Sequence, residues 1–159
     1  MFRTANLSIW MAAWILTGAT TLAHAADTAP SADLAAQAKV VSEATGGHLK
    51  ALTGKVFDEG CGIEVDYQAD VVDLNGDGQP EVFTQLQSGC YGMAGSQLDL
   101  LIKGKDGKWS SQFGFPGVYT ILETKHVGYP DIEIGGPGSC FPIWRWNGTS
   151  YALHKKCPM

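Results

Sequence analysis

Residues 63–87 read IEVDYQADVVDLNGDGQPEVFTQLQ, and the fold turns on how they are read. In the first half, apolar side chains occupy every second position (Ile63, Val65, Tyr67, Ala69, Val71), with Glu64, Asp66, Gln68 and Asp70 between them. A strand points successive side chains to opposite faces, so this period of two predicts a half-buried strand with an acidic outer face. A second strand, Val82 to Gln87, follows the intervening glycines and acids closely enough to pair with the first as a hairpin.

Outward from that hairpin the same period recurs. Strands are expected at Leu98 to Lys103, Trp109 to Phe113, Val118 to Glu123, Asp131 to Ile134, Phe141 to Trp146 and Ser150 to Lys155. Lys105, Asp106 and Gly107 supply one turn, and Asn147 with Gly148 another, because both of the latter tolerate positive φ. On the N-terminal side, Ser31 to Thr45 places Leu34, Ala38 and Val41 at helical spacing, with Ser31 and Asp33 suited to the start and Gly46 and Gly47 to the stop. The fold predicted is mainly β: an N-terminal helix followed by an antiparallel meander, partly propeller-like or sandwich-like. With 20 glycines and 7 prolines punctuating the chain, this is favoured over an α/β arrangement.

Residues 1–25 read as a cleavable secretory signal: Arg3 near the start, the apolar run Ile9 to Leu16, and Ala23, His24 and Ala25 before the cut. The apolar run is interrupted by Thr17, Thr20 and Thr21 and falls short of the roughly 20 residues a membrane span needs, so no span is expected after cleavage. Residues 26–30 form a linker and residues 31–159 a single domain, periplasmic or secreted. The net charge of −5 argues against nucleic acid, whose phosphates demand clustered Lys and Arg.

The four cysteines, Cys61, Cys90, Cys140 and Cys157, contain no C-x-x-C pair, which disfavours zinc; an oxidising compartment favours two disulfides. Cys61 and Cys90 lie toward the open end of the hairpin centred on Asp77, and Cys140 and Cys157 straddle the Asn147 turn. Cross-strand Cβ atoms are about 4.5–5.5 Å apart, near what a disulfide bridges, so Cys61 is predicted to pair with Cys90 and Cys140 with Cys157.

The run DLNGDGQPEVF places oxygen donors at Asp73, Asn75, Asp77 and Glu81, with the Gln79 carbonyl between the last two. Alternate residues of a tight turn can converge on one hard cation, and calcium accepts six to eight such oxygens at flexible angles. An EF-hand would carry its bidentate acid at the twelfth loop position, which here is Thr84, and a strand rather than a helix follows. With strands on both sides, the run resembles the calcium loops of FG-GAP and VCBS repeats. A second copy, Pro130, Asp131 and Ile132, repeats Pro80, Glu81 and Val82, but its upstream positions are Glu123, Lys125 and Val127, so it is expected to be degenerate and metal-free.

No enzymatic constellation stands out. His48, His126 and His154 belong to no catalytic motif, and the acidic row at Glu64, Asp66 and Asp70 is what a solvated strand face shows. The connection QSGCYGMAGSQ, Gln87 to Gln97, is more suggestive, because a staple at Cys90 pre-organises it for binding. Ser88, Gly89 and Tyr91 match the S-G-x-Y motif of periplasmic lysozyme inhibitors. That resemblance implies a protein partner, a peptidoglycan hydrolase, with the Ser88 and Tyr91 hydroxyls entering its cleft. The alternative is an exported VCBS-type module binding carbohydrate or protein at a cell surface, with Trp144, Trp146 and Tyr151 available to stack on sugars, although aromatics flanking an Asn-Gly turn more often pack across strands.

Overall fold

Straight-chain residues and alanines lose little on entering a helix, and α1 forms over Ala32–Ala44. It stops where expected: Gly46 and Gly47 take φ of 61° and 84°, and the Gly47 N–H donates to the Ser42 carbonyl at 2.7 Å. The helix buries Val41 and Ala44, while Leu34 lies on its more exposed portion. The computed structural model describes residues 32–138 and 140–157, so the expected signal, the linker and Ser31 lie outside the described residues.

The strands form two antiparallel meanders. In the first, β1 (Thr53–Asp58), β2 (Ile63–Val72), β3 (Glu81–Gln87), β4 (Ser96–Lys103) and β5 (Trp109–Ser111) lie side by side in chain order, and β6 (Phe115–Pro116) pairs with β4 beyond β5. The second runs β7 (Val118–His126), β8 (Tyr129–Gly135), β9 (Ile143–Trp146), β10 (Tyr151–Lys155), again in chain order.

Two elements were not legible beforehand. Strand β1 carries a weak pattern because Gly54 stands where a Cβ would come within 3.0 Å of the Tyr67 ring. The strand expected over Trp109 to Phe113 ends at Ser111, and Gly114 (φ 97°) turns the chain so that Phe113 and Phe115 pack against the core. The turn at Asn147 also differs: only Gly148 takes positive φ (107°), whereas Asn147 acts through its side chain, whose Oδ1 accepts from the Thr149 and Ser150 N–H groups at 3.0 Å each.

The first sheet is the middle of three layers. Register sets Val71 beside Val82 and Tyr67 beside Leu86, and this face packs on α1 through Val41, Ala44, Leu49, Tyr67, Ala69 and Val82. The opposite face puts Phe83, Leu98, Leu100 and Ile102 against Ile132, Ile134, Trp146 and Tyr151 of the second sheet. At that seam the Phe83 and Tyr119 rings stack with centroids 3.7 Å apart. Trp144, Trp146 and Tyr151 are part of this packing, edge-on or tilted to Phe113, Phe115 and Tyr129, with Trp146 and Tyr151 buried and Trp144 half-buried.

Both predicted disulfides are present: Cys61–Cys90 and Cys140–Cys157, with Cα separations of 6.0 and 5.7 Å. They are compatible with an oxidising, exported location. No described helix is long and apolar enough to cross a membrane.

Candidate functional site

The acidic turn joins β2 to β3 and is built by its own side chains. Asp73 Oδ1 accepts from the Gly76 and Asp77 N–H groups (2.8 and 3.2 Å) and its Oδ2 from Gly78 (2.9 Å). Asn75 Oδ1 accepts from the Asp77 N–H at 2.8 Å, and Asp77 Oδ1 from Gln79 N–H at 2.8 Å. Short polar side chains that bond their own backbone two residues on fold a chain into successive Asx turns, with Gly76 and Gly78 (φ 79° and 85°) allowing the curvature. The result is one tight bend carrying Asp73, Asn75 and Asp77, with Asp73, Asp77 and Gln79 exposed.

Glu81 stands differently. It is 2% exposed, its Oε2 accepts from the Leu74 N–H at 2.8 Å, and its Oε1 accepts from the Tyr129 hydroxyl at 3.0 Å. Burial pushes its carboxyl up, the two hydrogen bonds pull it down, and the nearby charges of Asp77 and Asp73 push it up further. Among the described residues no cationic side chain pairs with it. Among the described residues no three His, Cys, Asp or Glu side chains converge as a metal cluster. The turn's donor set also counts the Asn75 amide and the Gln79 carbonyl, and each carboxylate keeps spare lone pairs beyond the bonds named. The donors are all hard oxygens, which suits calcium and not a softer metal.

The second candidate element lies at the opposite end of the same hairpin, roughly 24 Å away for a seven-residue strand. Ser88 caps a short 3-10 helix, Gly89–Ala94, its Oγ accepting from the Cys90 N–H at 3.3 Å. Gly95 (φ 66°) closes the loop, and the Ser88 N–H donates to the Gly95 carbonyl at 3.0 Å. Cys90 ties the loop to Cys61 in the β1–β2 turn.

Within it the structure departs from expectation at Tyr91. Its hydroxyl is shut off from solvent beside the Asp58 carboxylate, without good hydrogen-bond geometry, and burial followed by Asp58 pushes it up to about 12. The tip of the loop is Met93, 85% exposed. Sequence reading passed over both Asp58 and Met93: Asp58 lies in the unrecognised β1, and an isolated methionine carries no pattern.

Asp131, at the expected second copy of the turn, is held differently. Asp131 is 2% exposed and is gripped by Arg145, Nε to Oδ1 at 2.8 Å and Nη2 to Oδ2 at 2.7 Å, with the Thr124 hydroxyl donating at 2.7 Å. The guanidinium hydrogen bonds hold its carboxyl below the ordinary value, against the effect of burial.

Fold and loops together define a three-layer, disulfide-bonded antiparallel protein with an acidic turn at one end of its central hairpin and a stapled loop at the other. Comparison with known protein families, with characterised proteins and with solved structures found no match.

Proposed function

We propose that this chain is an exported, calcium-stabilised binding protein that inhibits a peptidoglycan hydrolase through the loop of residues 88–96. The observation that carries this reading is the loop itself: anchored by Cys61–Cys90, capped by Ser88 and closed by Gly95, it holds an 85% exposed Met93 in a fixed position. An anchored loop has little conformational entropy left to lose on docking. Methionine is a polarisable side chain well suited to filling an apolar recess in a partner. The S-G-x-Y resemblance at Ser88, Gly89 and Tyr91 suggests the target class, although here the Tyr91 hydroxyl faces Asp58 rather than outward. Tyr91 acts as an internal brace in this reading, and Ser88 and Met93 make the contact.

Calcium belongs to the same proposal. Asp73, Asn75, Asp77, the Gln79 carbonyl and Glu81 would hold it, and the ion would supply the positive charge that Asp131 obtains from Arg145. Its part is structural, fixing the far end of the hairpin that carries the loop.

The test is clearing of a cell-wall suspension by a panel of lysozymes and amidases, with and without the protein. Inhibition of at least one enzyme is expected, weakened about tenfold or more by Met93→Ala with Ser88→Ala, because truncating a contact at an interface centre typically costs 2 kcal/mol or more. Full activity of every hydrolase at molar excess, or unchanged inhibition by the double variant, overturns the reading.

A further inference from the structure

Sulfur among the described residues is divided between four cysteines and one methionine. Cys61, Cys90, Cys140 and Cys157 are all bridged, so no free thiol remains there. Of the four methionines, Met1 and Met11 lie in the expected signal and Met159 outside the described residues, which leaves Met93 as the one thioether the structure places. It is 85% exposed and belongs to neither core cluster.

The loop holds that thioether in the open. Gly92 (φ 71°) turns the backbone immediately before it, and at Gly89, Gly92 and Gly95 alike a Cβ would meet nothing within 4 Å. An oxidant can therefore reach the sulfur without displacing a neighbouring side chain. The electron-rich rings around the molecule are less accessible: the Tyr91 hydroxyl is shut off from solvent, Trp146 and Tyr151 are buried, and Trp109 and Trp144 are half-buried. Nothing that fixes the loop passes through Met93, since its anchors are Cys61–Cys90, the Ser88 cap and the Gly95 closure.

We infer that Met93 is an oxidation site, converted by peroxides to the sulfoxide, and that this modification switches off docking by the loop without unfolding the protein. The switch rests on the proposed function, in which Met93 fills an apolar recess; the oxidation site does not. In the step, the sulfur lone pair attacks one oxygen of the peroxide, an S–O bond forms as the O–O bond breaks, and the displaced hydroxide takes the proton from the sulfur-bound oxygen and leaves as water. Sulfur gives up two electrons and the peroxide is reduced by the same two. A dithiol, through a methionine sulfoxide reductase, reverses the change, restoring the thioether, releasing water and closing to a disulfide. A sulfoxide oxygen buried in an apolar recess loses its hydration and finds no donor, whereas on the free, exposed tip it stays in water.

The experiment treats the full exported chain with hydrogen peroxide, maps oxygen uptake by mass spectrometry of peptides, and measures melting and inhibition of a hydrolase from the lysozyme and amidase panel before and after. Met93 is expected to gain one oxygen ahead of any tryptophan or tyrosine, with the melting temperature unchanged. Inhibition should weaken about tenfold, the penalty of burying one unsatisfied polar group, and a mixture of methionine sulfoxide reductases for both sulfoxide epimers should restore it. Met93→Leu has no sulfur to oxidise, so the ratio of its inhibition before and after peroxide should be one, whatever its own starting affinity. If tryptophan or tyrosine is oxidised before Met93, the oxidation site is wrong. If Met93 takes up oxygen but inhibition of a responsive hydrolase does not change, or falls equally in Met93→Leu, the switch is wrong and the inhibitor reading stands. If no hydrolase is inhibited even before peroxide, the inhibitor reading and the switch fall together, and the oxygen map alone decides the site.

Discussion

Glu81 and Asp131 each follow a proline, each lie in the first three residues of the second strand of a hairpin, and each are 2% exposed, yet their surroundings differ. Asp131 holds a guanidinium in a two-point grip, whereas Glu81 has only an N–H and a phenol. A buried carboxylate is costly unless paired, so the two sites answer one problem in two ways. Because the folded state depresses the Asp131 carboxyl, its contribution to stability is present above the ordinary value of 3.8 and is lost as pH falls through the depressed folded value. Asp131→Asn should therefore lower stability by about 2 kcal/mol at neutral pH, with the gap to the parent narrowing only once the pH is well below 3.8. Urea unfolding in those two pH ranges checks this, and a gap that does not change with pH would mean the charge of Asp131 is not what matters. The oxygen spacing of the acidic turn was readable because Asp73, Asn75, Asp77 and Glu81 are near neighbours in sequence. Arg145, 14 residues from Asp131, was not, because only strand pairing brings it there.

At the scale of elements, the hairpin β2–β3 carries both candidate sites, one at each end. The acidic turn should respond to calcium: millimolar calcium is expected to raise the melting temperature of the parent, since a ligand of the folded state stabilises it by about 4 kcal/mol at a thousandfold excess over its Kd. Asp77→Ala should abolish both that shift and the heat of binding in calorimetry, and a parent showing neither would remove calcium from the account. The stapled end should respond to reduction. The bridges close loops of 29 and 17 residues, worth about 3 to 4 kcal/mol each on chain-entropy grounds. Cys61→Ala with Cys90→Ala should show a loss of that size in chemical denaturation. It should also weaken any inhibition more than it alters the second sheet, because it frees the loop's anchor. Turn chemistry made these elements legible: Asx residues, Gly and paired cysteines act locally. Strand β1 escaped because its one well-filled inward position, Val56, is too little pattern for a strand.

Across the whole molecule, the two meanders repeat one order of strands, but the repeated acid faces opposite ways. Glu81 shares the face of Phe83, toward the second sheet, while Ile132 and Ile134 face inward and so turn Asp131 and Glu133 outward. A third sheet would have to bury that outer face, and the Arg145–Asp131 pair closes it instead, as α1 closes the other end of the stack. Both sheets therefore depend on one core. Phe83→Ala, at a fully buried position on the seam, should cost about 3 to 5 kcal/mol, with far-ultraviolet circular dichroism and tryptophan fluorescence shifting together. Two separate transitions would mean that the sheets fold independently.

What the sequence alone determined is everything carried by near neighbours: the period of two, the helix stop at Gly46 and Gly47, the acidic turn, and cysteine pairs set by hairpin register. What only the tertiary structure decided is which face meets what. Tyr119 reaches Asp70 across 49 residues and Tyr129 reaches Glu81 across 48. Tyr91 turns inward to Asp58 while Met93 is left outside. Periodicity says that a side chain alternates between faces, but the surface that covers each face comes from distant chain, and only packing chooses it.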